Sequence, residues 1–299
     1  MKFYKNTLKI IALLVFGGLY AQQEPNYALY RYTMNAINPA YAGADGFANL
    51  TTNFRSQWSG VQSAPETQTL FYSQPLGNNL GIGLSFVNDQ VFVEQNTSFN
   101  IDFSYKLQMN EETNLFFGIK AGGSSYSIDR DKFGNFQTAD DPALGNIDTG
   151  FRPNFGAGLY LMNEKYFLSV SVPHILLSER ISNDNGTVSV ANEKAHFYFS
   201  GGYNFDISED VEFRPSAMAR LVSGAPISAD FTAAFRFIDR IEVGAMYRTD
   251  SAWAGVAMLS LADWFDLGYA YEASSQDVVS NGSDGTHEVV LRFNFRGDN

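Results

Sequence analysis

Apolar and polar residues alternate along most of the chain between residues 48 and 295. The stretches 241–248, 264–272 and 286–295 show the pattern clearly, whereas 67–74 and 252–261 do not reveal which residues share a face. A period of two residues is typical of a β-strand with one apolar and one polar face. The clearest example is 96–107, where the apolar positions Phe99, Ile101, Phe103, Tyr105 and Leu107 are separated by Asn100, Asp102, Ser104 and Lys106.

Fourteen such stretches can be counted, and no amphipathic helical period of useful length separates them. A tilted strand needs ~9–11 residues to cross a bilayer, and most of the stretches have 8 to 12. The predicted strands are 48–58, 66–75, 80–88, 96–107, 114–125, 154–162, 166–172, 195–206, 211–221, 228–237, 241–248, 251–260, 264–272 and 286–295.

The connections between these strands alternate in length. The short set is 76–79, 108–113, 163–165, 207–210, 239–240 and 262–263, and the other set includes the three longest loops, about 126–153, 173–194 and 273–285. A closed barrel with an even number of antiparallel strands, short periplasmic turns and long extracellular loops produces this alternation and leaves both termini periplasmic. We therefore predict an all-β fold, a transmembrane outer-membrane β-barrel of about 14 antiparallel strands.

A soluble β-sandwich or propeller is the alternative. Its inner faces would have to bury nearly every Phe and Tyr of fourteen strands in one dry core, and no internal repeat suggests propeller blades. A barrel instead points the apolar face at lipid and the polar face at the lumen. The charged residues of the polar face are Asp102, Lys106, Lys120, Glu212, Arg214, Arg220, Arg236, Glu242, Arg248 and Arg292.

Composition agrees with the barrel. Only 17% of residues are charged, against the ~25% that is usual in soluble domains, while aromatic residues reach 15% and mean hydropathy is −0.17. The net charge of −12 argues against a nucleic-acid partner, because phosphate binding needs a clustered basic surface. The chain has no cysteine, which excludes a disulfide framework and thiolate chemistry.

The first 21 residues read as a secretory signal peptide. Lys2, Lys5 and Lys9 precede an apolar run of about ten residues, and Ala21 offers a small residue for cleavage. Such a run is too short for a transmembrane helix, which needs about 20 residues. We expect cleavage near Ala21, a periplasmic segment at 22–47 and a barrel at 48–299. Whether 22–47 enters the lumen as a plug stays open at this stage.

Candidate catalytic groups are few. The three histidines, His174, His196 and His287, lack metal-ligand spacing, and no nucleophile elbow, P-loop or dinucleotide-binding pattern is present. His196 with Ser200 is the only pair that could be nominated for a lipid-modifying barrel enzyme. We predict no enzyme activity, no catalytic or metal site, no cofactor and no small-molecule substrate.

Three short motifs carry a family resemblance. They are NPAYAG at 38–43, RSQWSG at 55–60 and APETQT at 64–69. In this order they resemble the PorP/SprF family of type IX secretion membrane proteins, and weaker matches extend the resemblance over essentially the whole mature chain. The motif residues, for which we expect a structural or partner-contact role, are Asn38, Pro39, Tyr41, Gly43, Arg55, Gln57, Trp58, Gly60, Pro65, Thr67, Gln68 and Thr69.

The resemblance implies a non-enzymatic outer-membrane component of the type IX secretion and gliding system. Its expected partners are outer-membrane lipid, other type IX components and secreted adhesin cargo with C-terminal sorting domains. The alternative is a diffusion channel or small-solute transporter of the same architecture. For that alternative, small inward-facing residues would leave space in the lumen, namely Gly81, Gly83, Gly156, Gly158, Gly202, Gly244 and Gly268.

Overall fold

The computed structural model describes residues 25–77, 79–128, 147–176, 194–249, 252–274 and 282–296. The expected signal peptide and most of the three longest loops lie outside these residues. Among the described residues, no helix is long and apolar enough to cross a bilayer.

Sixteen strand segments and two single-turn 3₁₀ helices make up the described chain. The helices are Met34–Ala36 and Pro39–Tyr41. The strands are β1 (Ala48–Ser56), β2 (Glu66–Pro75), β3 (Leu80–Val91), β4 (Glu94–Gln108), β5 (Asn114–Ile128), β6 (Ile147–Met162), β7 (Tyr166–Val172), β8 (His196–Tyr203), β9 (Phe205–Ser208), β10 (Val211–Phe213), β11 (Ser216–Val222), β12 (Ser228–Phe237), β13 (Ile241–Arg248), β14 (Ala252–Ala262), β15 (Phe265–Ser274) and β16 (Thr286–Phe295).

The strand segments close into a barrel of fourteen strands. Neighbours pair antiparallel, and β1 pairs with β16, so that Ala48 lies opposite Phe295. β8 continues into β9 after Asn204, and β10 continues into β11 after Arg214 and Pro215, which reduces sixteen segments to fourteen strands. The predicted closed antiparallel barrel is confirmed.

The hairpin of β3 and β4 is longer than the alternation predicted. β3 and β4 are joined by a turn of two residues, Phe92 and Val93, in place of the loop expected at 89–95. On the outward face of this hairpin, Asn88 accepts hydrogen bonds from Gln95 and Thr97 at 2.8 and 2.9 Å. Polar residues therefore occupy both faces here, and the periodic signal ends before the backbone pairing does.

The two faces of the barrel differ as expected outside but not inside. Large apolar side chains such as Phe99, Phe103 and Ile119 are exposed on the outer face, where a barrel meets lipid. The inner face carries buried polar groups and also two apolar clusters. The strand β14 was ambiguous from sequence because its inward residues Val256 and Met258 are apolar too.

The connections define two ends of the barrel. We call the end with 57–65, 92–93, 173–195 and 275–285 the long-loop end, and the opposite end, with 76–79, 109–113 and 163–165, the short-turn end. β1 begins and β16 finishes at the short-turn end.

Candidate functional site inside the barrel

Residues 25–47, here called the lumenal segment, lie inside the ring of strands. Most of their side chains are buried, and Asn38, Ala40 and Ala42 are fully buried. The segment makes hydrogen bonds to inward-facing groups on strands at both ends of the chain. The interior of this barrel is therefore a packed core built around the chain's own N-terminal part.

The lumenal segment follows the inner wall in the direction opposite to strand order. Its first described residues contact β15 and β16, and its last residues contact β2. The intermediate contacts run to Asn204, then to β7 and then to β4, and they are made by Arg31, Asn38 and Ala42 in turn. One short segment thus connects strands from most of the barrel circumference.

The sequence NPAYAG explains the conformation of the second half of this segment. The Asn38 side chain caps the 3₁₀ helix by accepting a hydrogen bond from Ala40 N at 2.9 Å, and Pro39 takes the first helical position. Gly43 has a φ of +72°, and a Cβ there would lie 3.0 Å from the carbonyl oxygen of Gln74. Only glycine combines this backbone conformation with such close contact.

Four inward glycines form the surface against which this part packs. We call Gly81, Gly83, Gly118 and Gly158 the glycine cradle. A Cβ added at Gly118 would lie 2.1 Å from Ala40 N, and one at Gly158 would lie 2.0 Å from the Asn38 side chain. At Gly81 it would lie 2.2 Å from Ala42 O. The cradle therefore admits the backbone of the lumenal segment because its own side chains are missing.

Two apolar clusters hold the segment on either side. Tyr30, Met34 and Tyr41 pack with inward aromatic residues of β5 to β8, and the Tyr41 ring meets the Tyr160 ring edge-on at 5.1 Å. Ala28 and Leu29 pack against β13 to β16, on a surface formed by Met246, Ala254, Val256, Met258, Ala270 and Val290. Burial of apolar area stabilises the segment by roughly 25 cal/mol per Å².

A series of buried charged side chains runs around the inner wall from β12 to β16 and β1, towards the long-loop end. Arg248 binds Asp230 at 2.7 Å and Glu272 at 2.9 Å. Arg55 binds Glu272 and Glu288, each at 3.2 Å. We call these five residues the ionic chain. Alternation of sign offsets part of the free energy that it costs to remove each charge from water.

Glu288 links the ionic chain to the lumenal segment. Its Oε2 accepts a hydrogen bond from Ala28 N at 2.8 Å, and its Oε1 accepts one from Leu29 N at 3.2 Å. Asn53 Nδ2 donates to Oε1 as well, at 2.9 Å. Near the short-turn end a second ion pair, between Arg292 and Asp45 at 2.8 Å, holds the last part of the segment.

The protein-family model described as type IX secretion system membrane protein PorP/SprF matches residues 19–293. The chain belongs to this family. As a PorP/SprF protein it is an outer-membrane β-barrel and a membrane component of the type IX secretion system.

Solved structures of other proteins are similar to this chain over most of its length. The CymD monoaromatic hydrocarbon channel is similar over 89% of this chain and 93% of the channel, with 11% identity and a TM-score of 0.52. The Ralstonia pickettii toluene transporter TbuX matches over 87% and 92%, with 8% identity and a TM-score of 0.49. The Acinetobacter baumannii outer membrane protein Omp33 matches over 83% and 98%, with 8% identity and a TM-score of 0.46. No curated protein matches the sequence. At these identities the CymD likeness shows the fold alone.

The motif residues of this PorP/SprF protein fall into three places. Asn38, Pro39, Tyr41 and Gly43 lie in the lumenal segment. Arg55 belongs to the ionic chain, and Thr67 and Thr69 point inward beside it, where Thr67 donates to Asp89 at 2.6 Å. Gln57, Trp58, Gly60 and Pro65 form the connection between β1 and β2 at the long-loop end, where Gln57 N donates to Pro65 O at 2.9 Å. Gln68 is exposed on the outward face, apart from the others.

Sequence reasoning missed the partners of the lumenal segment. Glu288 and the glycines fell on the inward face, but no spacing signal showed what they contact. Three of the inward glycines do not leave the free space that the channel alternative expected, because Asn38 lies against Gly158, Ala42 lies against Gly81, and Leu29 lies against Gly268.

The histidine and serine nominated for a lipid-modifying site do not form a catalytic pair. His196 and Ser200 are both buried on the inward face of β8, but four residues of extended strand separate their Cα atoms by about 13 Å. Within the described parts of this PorP/SprF protein, no group of three or more His, Asp or Glu side chains is placed to hold a metal ion.

Proposed function

We propose that this protein is a non-enzymatic outer-membrane component that assists secretion or surface attachment of type IX cargo, such as adhesins with C-terminal sorting domains. The observation that supports this most is the occupied interior. The lumenal segment fills the space that a diffusion channel would need, so the contact surfaces at the two ends and on the outside remain as the working parts. Other type IX components and outer-membrane lipid are the further partners in this proposal.

The proposed topology follows from the two ends of the barrel. After signal-peptide cleavage near Ala21, residues 22–47 act as a plug in the barrel formed by 48–299. The short-turn end faces the periplasm, as short turns do in bacterial outer-membrane barrels. The long-loop end then faces the outside, where the long loops offer a surface for cargo.

The motif residues divide between two roles in this proposal. Asn38, Pro39, Tyr41, Gly43 and Arg55 hold the interior together. Gln57, Trp58, Gly60 and Pro65 shape the outer connection between β1 and β2, and the exposed Gln68 places an uncharged polar side chain on the outward face below it. These outer positions are the proposed contacts with a partner in the type IX system.

Deletion and complementation of the gene test the cargo role. We expect loss of a surface protein from the cells, with the protein appearing in the medium or retained inside. Complementation with the wild-type gene restores the surface protein, whereas a Gln68→Leu and Trp58→Ala variant restores it only in part. Unchanged surface protein in the deletion strain contradicts the proposal.

Planar-bilayer conductance tests the channel alternative. The filled interior predicts no steady current for the purified barrel, whereas an open diffusion channel gives a constant current. Affinity purification from detergent-solubilised outer membrane complements this measurement. It should recover type IX components or a large surface protein, and a steady current with no such partner supports the channel instead.

A further inference from the structure

The two halves of the lumenal segment are held by different kinds of contact. Residues 37–43 lie in the glycine cradle and make neutral hydrogen bonds. Asn38 Nδ2 donates to Leu159 O at 2.9 Å and to Ser169 Oγ at 2.8 Å. Ile37 O accepts from Ser171 Oγ at 2.7 Å. The fit depends on close backbone contact, which leaves little room for movement of this half.

Ala28 and Leu29 are held by a charge and by an adaptable surface, whereas Tyr27 beside them is buried in the other cluster, with Tyr30 and Met34. The amides of Ala28 and Leu29 donate to the two oxygens of Glu288. The apolar surface beneath them includes Met246 and Met258. Methionine side chains are unbranched and flexible, so they repack easily when a neighbour leaves. Ala28 and Leu29 therefore depend far more on one side chain than residues 37–43 do.

Every hydrogen-bond partner of Glu288 described above is a donor. Oε1 receives Leu29 N and Asn53 Nδ2, and Oε2 receives Ala28 N and Arg55 Nη1. A carboxylate suits this site because both of its oxygens only accept. A glutamine side chain of the same shape would direct an NH₂ group at two donors, whichever way the amide is turned.

We propose that Glu288 is a latch for Ala28 and Leu29 at the start of the lumenal segment. With the carboxylate in place, Ala28 and Leu29 cover β13 to β16. When the carboxylate is lost, Ala28 and Leu29 leave the wall while residues 37–43 stay in the cradle, and a partial passage opens beside Val256 and Met258. The inference rests on the proposal that the segment closes the barrel, and it adds that the closure can be released in one half alone.

Single-cysteine labelling tests the latch directly, because the native chain has no cysteine. Ala28→Cys reports on the latched half and Ala44→Cys on the other end of the segment; both alanines are buried, at 4% and 8% exposure. Each is combined with Glu288→Gln, and reaction with a membrane-impermeant maleimide is timed in detergent and in vesicles. Glu272→Gln is the matched control, since Glu272 belongs to the ionic chain but bonds to Arg55 and Arg248 rather than to the segment.

We expect Glu288→Gln to raise the labelling rate of the thiol at position 28 by about tenfold or more, the effect of losing a charge-assisted hydrogen bond, with the rate at position 44 unchanged. Glu272→Gln should leave the thiol at position 28 protected. Asn53→Ala keeps the carboxylate but removes one of its donors, and we expect it to raise the labelling rate at position 28 about threefold. This variant tests the latch if Glu288→Gln does not fold. A difference in gel mobility between heated and unheated samples confirms that each variant is folded.

Two outcomes overturn the latch. Equal rises at positions 28 and 44 show that the segment leaves as one unit, and no rise at position 28 in either Glu288→Gln or Asn53→Ala shows that the carboxylate does not hold it. Conductance separates this result from the proposed function. A current from the wild-type barrel refutes closure itself, whereas a silent wild type with a silent, unlabelled Glu288→Gln variant refutes the latch alone.

Discussion

Replacing Gly118 by alanine tests whether the lumenal segment is seated as described. The new Cβ would lie 2.1 Å from Ala40 N, and three backbone atoms of residues 39 and 40 lie within 2.4 Å of it. Backbone cannot rotate away as a side-chain tip can. The segment must therefore retreat by more than 1 Å to reach ordinary contact at 3.4 Å.

The magnitude follows from what this retreat disturbs. Overpacking of a well-packed interior costs about 1–3 kcal/mol. Movement of Ala40 also breaks the hydrogen bond from its amide to the Asn38 side chain, which costs about another 1 kcal/mol. Alanine in a strand regains roughly 0.5–1 kcal/mol over glycine. We expect Gly118→Ala to lower the free energy of unfolding by about 1–3 kcal/mol.

Urea unfolding of the purified barrel, followed by tryptophan fluorescence, measures this change, and maleimide labelling of the Ala44→Cys thiol shows whether the segment has moved. Gly255→Ala is the control, because a Cβ at Gly255 meets nothing within 4 Å. Identical unfolding midpoints and labelling rates for Gly118→Ala and Gly255→Ala would refute the packed interior.

Three further substitutions test other parts of the barrel by the same urea assay. Ile238 has a φ of 45° in the turn before β13, a conformation that a β-branched residue adopts only with strain. Ile238→Asn should therefore raise the free energy of unfolding by about 1 kcal/mol. A lower unfolding midpoint contradicts this expectation. Arg248→Met leaves Asp230 without its partner at 2.7 Å and should cost about 3–5 kcal/mol, and an unchanged midpoint would show that the pair is not buried. Lys165 lies at the surface, where a hydrogen bond to Asp206 raises its pKa. Lys165→Ala should leave the unfolding midpoint unchanged, because water screens exposed ion pairs. A clearly lower midpoint contradicts this expectation.

The outer surface of the barrel was predictable from sequence for a local reason. Lipid requires an apolar residue at every second position, so each strand, such as 96–107, carries its own signal without reference to any other strand. The alternating loop lengths then indicated closure and strand number. Where that requirement ends, as at Asn88 and Gln95 beyond the apolar band, the predicted strands were too short.

The interior was not predictable in the same way because its pattern depends on distant parts of the chain. An inward glycine has the same appearance in sequence whether it borders open space or a packed backbone. Val256 and Met258 are apolar although they face inward, because they share a buried cluster with Leu29, and no local period shows that. The motif NPAYAG lies in the lumenal segment, but the groups that it contacts became visible only when the strands were closed into a ring.

The bond between Ala28 and Glu288 joins residues 260 positions apart. A chain that has not yet received its last strand has no carboxylate to accept those amides, however well its earlier strands are paired. Final packing of the interior therefore depends on the arrival of β16, at the same seam where β1 completes the ring. Contacts this remote in sequence form late, so assembly of the beginning of this polypeptide should be among the last events in its maturation.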